Sequence, residues 1–135
     1  MNVFIIDLEN KPGQLARIAE AVARKGINIT GVSGLTMGGS GAVALLTNDE
    51  AGTRNAFEEA GIKARETELV TTSIEDKPGT LAEVAKKLSD AGINIEVAMP
   101  VGMKDGKVNL AFATDQPQKA REILGAAERM GVGVG

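Results

Sequence analysis

Apolar and polar positions along the first half of the chain follow two alternating patterns. Short apolar runs rich in β-branched residues predict strands at Val3–Leu8, Ile27–Leu35, Ala42–Thr47 and Ile62–Thr67. Apolar residues at the i, i+3, i+4, i+7 spacing predict an amphipathic helix over Gln14–Lys25. A second helix is predicted from a cap at Asn48 or Asp49 to about Ala60. The predicted order of elements is βαββαβ.

The second half of the chain repeats this order. Its apolar runs predict strands at Leu69–Glu75, Ile93–Val101 and Val108–Thr114, with Pro100 interrupting the middle one. Helices are predicted over Thr80–Ala91 and from a cap at Asp115 to Met130, with Pro117 in a first turn that tolerates proline. The tail, residues 131–135, is too short and too rich in glycine to predict a last strand. We therefore expect the two halves to differ at that edge.

A direct internal repeat explains why the two halves share one order. Residues 9–29 and 75–95 align at a constant offset of 66 positions. The residues of the first copy that recur in the second are Glu9, Lys11, Pro12, Gly13, Leu15, Ala16, Ala19, Gly26, Ile27, Asn28 and Ile29. A repeat of about half the chain predicts two copies of one small domain, residues 1–67 and 68–135.

The order of elements and the size of each copy together predict the fold. A short antiparallel hairpin with two crossover helices is typical of the ferredoxin-like arrangement, in which both helices cover one face of the sheet. The predicted fold class is α+β, with two tandem ferredoxin-like βαββαβ sandwiches and antiparallel sheets. Each copy is small for an independent core, so we expect the copies to pack together or to pair with copies in another chain.

Histidine and cysteine are both absent from the sequence, and this removes several kinds of chemistry. Without them there is no imidazole general base and no nucleophile system that depends on histidine. Thiolate and imidazole metal sites are excluded, so we expect no zinc, copper or iron–sulfur centre and no cofactor. A disulfide is also impossible, which suits the cytoplasm.

The charge and the aromatic content argue against two further classes of partner. The net charge is −3, tryptophan and tyrosine are absent, and three phenylalanines are present. A nucleic-acid-binding protein should show a basic stripe, often with stacking aromatic residues, so we expect no nucleic-acid partner. No apolar run approaches a membrane span, and the start MNVFIIDLEN has no basic leader. The sequence predicts a soluble cytoplasmic protein.

The candidate chemistry lies where the first strand of each copy turns into its helix, at Pro12-Gly13 and Pro78-Gly79. The first N–H groups of a helix have no partner within the helix and can hold a carboxylate. Asn10 in the first copy and Asp76 in the second can accept hydrogen bonds from an ammonium group. A small zwitterion therefore suits this corner.

Two copies of the pattern E-[ND]-K-P-G-x-L-A, each followed by an amphipathic helix and G-I-N-I, resemble the ACT domain family. The resemblance covers nearly the whole chain, and the identical spacing in both copies makes it specific. It implies βαββαβ regulatory modules that bind amino acids or related metabolites. It also implies that the ligand lies at an interface between two modules.

The resemblance indicates which positions contact the ligand. Members that bind amino acids use turn residues before the Pro-Gly pair and the asparagine that opens the second strand of the facing module. Asn10 and Asn28 match these positions in the first copy, and Asp76 and Asn94 match them in the second. Some serine-binding members have a histidine two residues before the turn asparagine. Leu8 stands there in this chain, which argues against serine.

The predicted ligand-binding residues are the corner of each copy and the start of its second strand. They are Asn10, Lys11, Pro12, Gly13, Gln14, Leu15, Asn28, Ile29, Asp76, Pro78, Gly79, Thr80, Leu81, Asn94 and Ile95. Each also has a plain structural interpretation, because glycines serve turns and an asparagine after a helix end often bonds its own backbone. We predict no catalytic residue and no metal site.

The sequence favours a non-catalytic regulatory protein that senses an amino acid or a related metabolite. We expect no appended catalytic domain, so the signal is expected to pass through a partner metabolic enzyme or through the protein's own assembly, most simply a homodimer. Two alternatives stay open, a structural assembly module without a ligand and a small acylphosphatase-like enzyme. The enzyme would require an arginine in the turn, whereas the first arginine is Arg17, inside the predicted helix.

Overall fold

A computed structural model of the protein describes residues 1–130, with side chains as far as residue 125. The strands are β1 (Asn2–Glu9), β2 (Ile29–Met37), β3 (Ser40–Thr47), β4 (Arg65–Glu68), β5 (Val70–Glu75), β6 (Ile95–Lys104) and β7 (Lys107–Thr114). The helices are α1 (Gln14–Ala23), α2 (Glu50–Ala60), α3 (Thr80–Asp90) and α4 (Pro117–Met130). Every strand and helix predicted from the sequence within the described residues is present.

The chain divides into two compact units, one formed by Asn2–Thr67 and the other by Met1 with the chain from Glu68 onward. The sheet of the first unit has the order β2-β3-β1-β4, and the described sheet of the second has the order β5-β7-β6. The pairs β1–β3, β2–β3, β5–β7 and β6–β7 are antiparallel. The predicted fold class of tandem ferredoxin-like units is confirmed. The tail, whose last strand was in question, lies outside the described residues.

The core of each unit lies between one face of its sheet and its two helices. In the first unit the core residues include Phe4, Ile6, Ile18, Val22, Leu45 and Phe57. In the second unit they include Val70, Ile74, Val84, Leu88, Phe112, Ala120 and Leu124. Alternate residues of each strand reach this core because successive side chains of a strand point to opposite faces. Both helices of the first unit therefore cover the same sheet face.

Glycine followed by isoleucine ends three of the helices in the same way. Gly61 takes a left-handed φ of +68°, and its N–H donates to the carbonyl of Glu58 at 3.2 Å. The N–H of Ile62 then reaches back to the carbonyl of Phe57 at 2.9 Å, which completes a Schellman motif. The Gly-Ile pairs at 26–27 and 92–93 make the same two bonds.

This helix ending corrects the predicted starts of three strands. Ile62 is buried, but it is a capping residue, and β4 begins only at Arg65. For the same reason β2 begins at Ile29 and not at residue 27, and β6 begins at Ile95 and not at residue 93. Burial of an apolar residue beside a helix end resembles the start of a strand in sequence, although the backbone there still belongs to the cap.

Pro100 lies within β6 and coincides with an irregularity in its register, which agrees with the predicted interruption, although the strand extends past the predicted end at Val101. The strand continues to Lys104, with an irregular register between Pro100 and Gly102. β6 lies at the edge of the described sheet, where a missing N–H is tolerated. The hairpin that follows turns at Asp105 and Gly106, both with positive φ, as in a type I′ turn.

Asp49 caps the start of α2, and replacing it by alanine is expected to lower the free energy of unfolding by about 1 kcal/mol. Its carboxylate accepts a hydrogen bond from the backbone N–H of Gly52 at 2.9 Å, and alanine offers no acceptor. Urea titration followed by circular dichroism would measure the loss. Asp49→Asn is the control, because asparagine caps equally well and should remain close to the parent protein. Equal losses in both variants would contradict this role.

Candidate functional site at the strand-to-helix corner

The corner of the first unit is a tight turn between β1 and α1. Gly13 precedes the helix with φ +90° and ψ −5°, a left-handed conformation that glycine adopts without strain. Its carbonyl accepts the first helical hydrogen bond from the N–H of Arg17 at 3.0 Å. No side chain caps this helix start. The first N–H groups of α1, beginning at Gln14, are therefore not satisfied within the helix.

Asn10 fastens this corner to the β2–β3 hairpin. Its backbone N–H donates to the carbonyl of Gly39 at 3.0 Å, and its side-chain Nδ2 donates to the carbonyl of Gly38 at 2.9 Å. The side-chain oxygen of Asn10 has no partner among the described residues, so the amide keeps an acceptor for another molecule. The residue that sequence analysis assigned to ligand contact is thus also a structural clamp.

A groove of about 430 Å³ lies beside the first corner. Its polar end contains Glu9, Asn10 and Gln14, and its apolar lining includes Leu8, Leu15 and Val32. This volume falls within the range of about 300–1,000 Å³ that is typical of small-molecule sites. The groove therefore combines an apolar channel with a polar end at the start of a helix.

Glu9 and Lys11 place one charge of each sign at the polar end of the groove. Lys11 Nζ lies 3.1 Å from Glu9 Oε2, and both side chains are more than half exposed. An exposed pair of this kind contributes about 0–1 kcal/mol, so either partner can rearrange toward a charged ligand at little cost. Lys11 was among the predicted ligand contacts, and Glu9 was not.

The corner of the second unit uses the same turn with a different anchor. Gly79 precedes α3 with φ +94°, and the N–H of Asp76 donates to the carbonyl of Gly106 at 3.0 Å. These contacts reproduce the backbone of the first corner. A carboxylate cannot donate to a carbonyl, so the side-chain clamp made by Asn10 has no equivalent at Asp76.

The polar side chains of the second turn form hydrogen bonds within the turn itself. Thr80 is buried, and its hydroxyl lies 2.7 Å from the carbonyl oxygen of Glu75 and 3.0 Å from that of Lys77. Lys77 Nζ lies 2.6 Å from Glu75 Oε2. This hydrogen bond lowers the pKa of Glu75 and raises the pKa of Lys77. The first corner has the equivalent ion pair between Glu9 and Lys11, but Gln14 stands in place of Thr80, so the turn lacks the hydroxyl bonds to the two carbonyl groups.

The structure groups the corner residues in each unit and places the predicted asparagines of the second strand elsewhere. Glu9 pairs with Ser40 at one end of β3, whereas Ile29, which follows Asn28, pairs with Thr47 at the other end. These ends are roughly 23 Å apart along the sheet. Asn28 therefore does not contribute to the corner of its own unit.

Asn94 occupies the equivalent place in the second unit, one residue before β6. The backbone N–H groups of both asparagines are bound by polar side chains, Asn28 by Asn48 Oδ1 at 3.0 Å and Asn94 by Asp115 Oδ1 at 2.9 Å. Both asparagine side chains are exposed, and Ile29 and Ile95 behind them are half-buried. Each asparagine lies in the short loop that connects a helix to the next strand, at the end of the sheet away from the corner.

Leu15 and Leu81 belong to the apolar stripes of α1 and α3, but they are not core residues. Their side chains are 51% and 53% exposed, in contrast to the buried Ile18 and Val84 three residues further on. Leu15 lines the groove, which agrees with its place among the predicted ligand contacts. Helical periodicity alone would place Leu15 in the core, because the pattern does not show where the sheet beneath the helix ends.

Sequence reasoning missed the wall of the groove that β2 forms. Val32, Gly34 and Leu35 line it, and Val32 and Leu35 are 51% and 70% exposed. The available signal was an apolar strand at a sheet edge, where one side lacks a neighbouring strand. That signal depends on strand order, and strand order is a tertiary property that the repeat does not reveal.

Two units with the same Pro-Gly corner define a tandem pair of small α+β modules. The ACT domain family matches residues 2–61, and the family described as an ACT domain pair matches residues 51–129. The chain therefore belongs to the ACT domain family, as its corner motifs predict. ACT domains are regulatory modules. No curated protein matches the chain by sequence.

Solved structures with the same fold cover almost the whole chain. A protein from Bacteroides thetaiotaomicron is 24% identical, with a TM-score of 0.80 over 94% of this chain and 88% of that protein. The ligand-free regulatory subunit of aspartate kinase from Thermus thermophilus is 16% identical, with a TM-score of 0.65 over 93% and 90%. Aspartokinase alpha and beta subunits are 19% identical, with a TM-score of 0.65 over 95% and 91%. These similarities establish the fold.

Membrane insertion through a helix finds no support in residues 1–130, where no helix is both long and apolar enough to cross a bilayer.

Proposed function

We propose that this chain is a regulatory protein that binds a free amino acid at the corner of its first unit. The observation that carries the proposal is the groove at the start of α1, where no side chain caps the helix and Asn10 retains an acceptor. An α-amino acid presents a carboxylate and an ammonium group on one carbon. The polar end of the groove offers hydrogen-bond donors for the carboxylate and acceptors for the ammonium group.

The expected pose follows from hydrogen-bonding capacity. The ligand carboxylate accepts from the leading N–H groups of α1, where the helix dipole favours a negative charge. The ammonium donates to the side-chain oxygen of Asn10 and to the carboxylate of Glu9. The ligand side chain then extends along the apolar part of the groove. This arrangement requires no catalytic group, which agrees with a regulatory role.

We further propose that a facing module completes the site. The groove is bordered by exposed apolar residues, and large exposed apolar patches mark interaction surfaces. Asn28 and Asn94 lie too far from the corners of their own units to share a ligand with them, so they would act on the corner of a facing module. Such a site couples ligand binding to assembly, because the ligand favours the paired state.

The signal is proposed to reach a metabolic enzyme, either directly or through a homodimer of this chain. This inference draws on the Thermus thermophilus relative, which is a regulatory subunit of aspartate kinase. The ligand acts on such a partner only through a difference in affinity between two states of the assembly. The corner would bind the ligand more tightly in the paired state if pairing with a facing module encloses the ligand.

A thermal-shift screen of the twenty amino acids at millimolar concentration tests the proposed function. A ligand present at about 100 times its Kd stabilises the protein by about 2.7 kcal/mol, which raises the Tm by several degrees. A shift with one or a few amino acids supports an amino-acid sensor. The absence of any shift would contradict it and favour a structural assembly module.

Asn10→Ala is expected to weaken binding of the amino acid that the screen identifies by about tenfold, as the loss of one hydrogen bond of about 1.4 kcal/mol implies. The change removes the clamp to Gly38 and the acceptor for the ammonium group. Isothermal titration calorimetry would measure the Kd. Asp76→Ala is the matched variant at the second corner and should leave the Kd unchanged. A loss confined to Asp76→Ala would move the site to the second unit.

A further inference from the structure

The floor of the groove contains a glycine whose backbone does not require glycine. Gly34 of β2 pairs in register with Val43, and Val43 pairs with the core residue Ile6 on the next strand. Paired residues share a sheet face, so Gly34 lies on the helix-bearing face, beneath the groove. Its φ is outside the left-handed region, and a Cβ added there would meet Val43 Cγ2 at an ordinary 3.4 Å. The absence of a side chain leaves space above this position.

The second unit carries a proline at the equivalent position. Pro100 follows Gly34 by the repeat offset of 66 and pairs with Leu110 in β7, as Gly34 pairs with Val43 in β3. Proline carries a ring where glycine carries only a hydrogen. Glycine is therefore not required at this position by the fold, because the same chain carries a ring there in one unit and no side chain in the other.

Apart from the corner residues the lining is mainly aliphatic, with Ser33 and Thr36 as its polar members. Leu8 and Leu15 form one side, and Val32 of the edge strand forms the other. The charged residues among the described lining are Glu9 and Lys11, both next to the corner turn. A ligand bound by its α-carboxylate and α-ammonium groups at the corner would use these charges there. Its side chain would then meet apolar surface, where an unpaired charge or amide is costly to bury.

We propose that the ligand of the first unit is an L-amino acid with an aliphatic side chain, of the size of valine to methionine, seated over Gly34. The proposal rests on the proposed function and names its ligand class. The polar end of the groove complements the zwitterion, and the aliphatic lining complements the side chain. The second unit has the ring of Pro100 in place of the open position at Gly34, so we assign the ligand to the first unit.

Pairs of amino acids that match in shape and differ in polarity test the ligand class. In leucine and asparagine an amide replaces two methyl groups, and in valine and threonine a hydroxyl replaces one methyl group. We expect norleucine, leucine, isoleucine, valine or methionine to raise the Tm, and the polar member of each pair to bind at least about tenfold more weakly by calorimetry. Tightest binding of a charged or amide side chain would overturn the ligand class while leaving the proposed function intact. No shift with any amino acid would overturn both.

Gly34→Val tests the position of the ligand side chain. Valine favours strands and fits the backbone, so the Tm without ligand should stay within a few degrees, while affinity for the aliphatic ligand should fall at least about tenfold. Gly102→Val is the matched control on edge strand β6, where a Cβ would meet only Asn109 Nδ2, at 3.6 Å. It should leave both the Tm and the Kd unchanged. Retained affinity in Gly34→Val would overturn the proposed seat.

Discussion

Phe4→Ala is expected to lower the free energy of unfolding of the first unit by about 3–5 kcal/mol. Phe4 is only 2% exposed and lies on β1, at the centre of the core beneath α1 and α2. Its ring meets Phe57 edge-to-face with centroids 5.7 Å apart and an interplanar angle of 87°. Alanine would remove this contact and leave a cavity that the surrounding strands cannot close.

The loss is large relative to the stability of a small domain, which is about 5–15 kcal/mol in total. Urea titration followed by far-ultraviolet circular dichroism is the appropriate measurement, since the sequence has no tryptophan for fluorescence. Because the chain contains two compact units, the data are fitted with one and with two transitions. Phe4→Leu is the matched control and should lose the aromatic contact, about 0.5–1.5 kcal/mol, with a smaller change in volume. Equal losses for alanine and leucine would contradict the cavity explanation.

The repeat and the periodicity of apolar residues were enough to predict the fold because they act locally. Alternation along β1 and the i, i+3, i+4, i+7 spacing in α1 each follow from the geometry of one element. The errors occur where two local rules compete. Ile62 obeys the strand pattern in composition, yet Gly61 holds its backbone in a helix cap. The predicted end of β6 at Val101 was too early, because Pro100 lies on an edge strand, where the hydrogen bond that proline cannot make is not needed.

The candidate site was only half predictable for a different reason. The corner is a local motif, so Asn10 and Gly13 could be identified from sequence spacing. The opposite wall belongs to β2, which is brought to the corner by pairing with β3, and no spacing along the chain encodes that proximity. Gly34 is one of 17 glycines, and only its register with Val43 shows that it lies on the sheet face beneath the groove. Comparison with Pro100 becomes informative once both registers are known.

Gly41→Ala is expected to destabilise the first unit by about 1–3 kcal/mol, because the added atom overpacks the hairpin. Gly41 lies on β3 between Leu8 of β1 and Thr36 of β2. A Cβ at this position would lie 2.5 Å from the carbonyl oxygen of Leu35 and 3.0 Å from the Cα of Thr36. Both are backbone atoms, so no rotation of a side chain relieves the clash and β2 must move away from β3.

This movement would reach the candidate site through two contacts. The hairpin carries the carbonyl of Gly38 that binds Asn10 Nδ2, and β2 forms one wall of the groove. Gly41→Ala should therefore lower both the free energy of unfolding and the affinity for the amino acid, whereas Gly34→Val lowers only the affinity. Gly39→Ala is the control in the same hairpin, since a Cβ there meets nothing within 4 Å. If Gly41→Ala and Gly39→Ala unfold at the same urea concentration and bind equally well, the close approach of β2 and β3 does not support the corner.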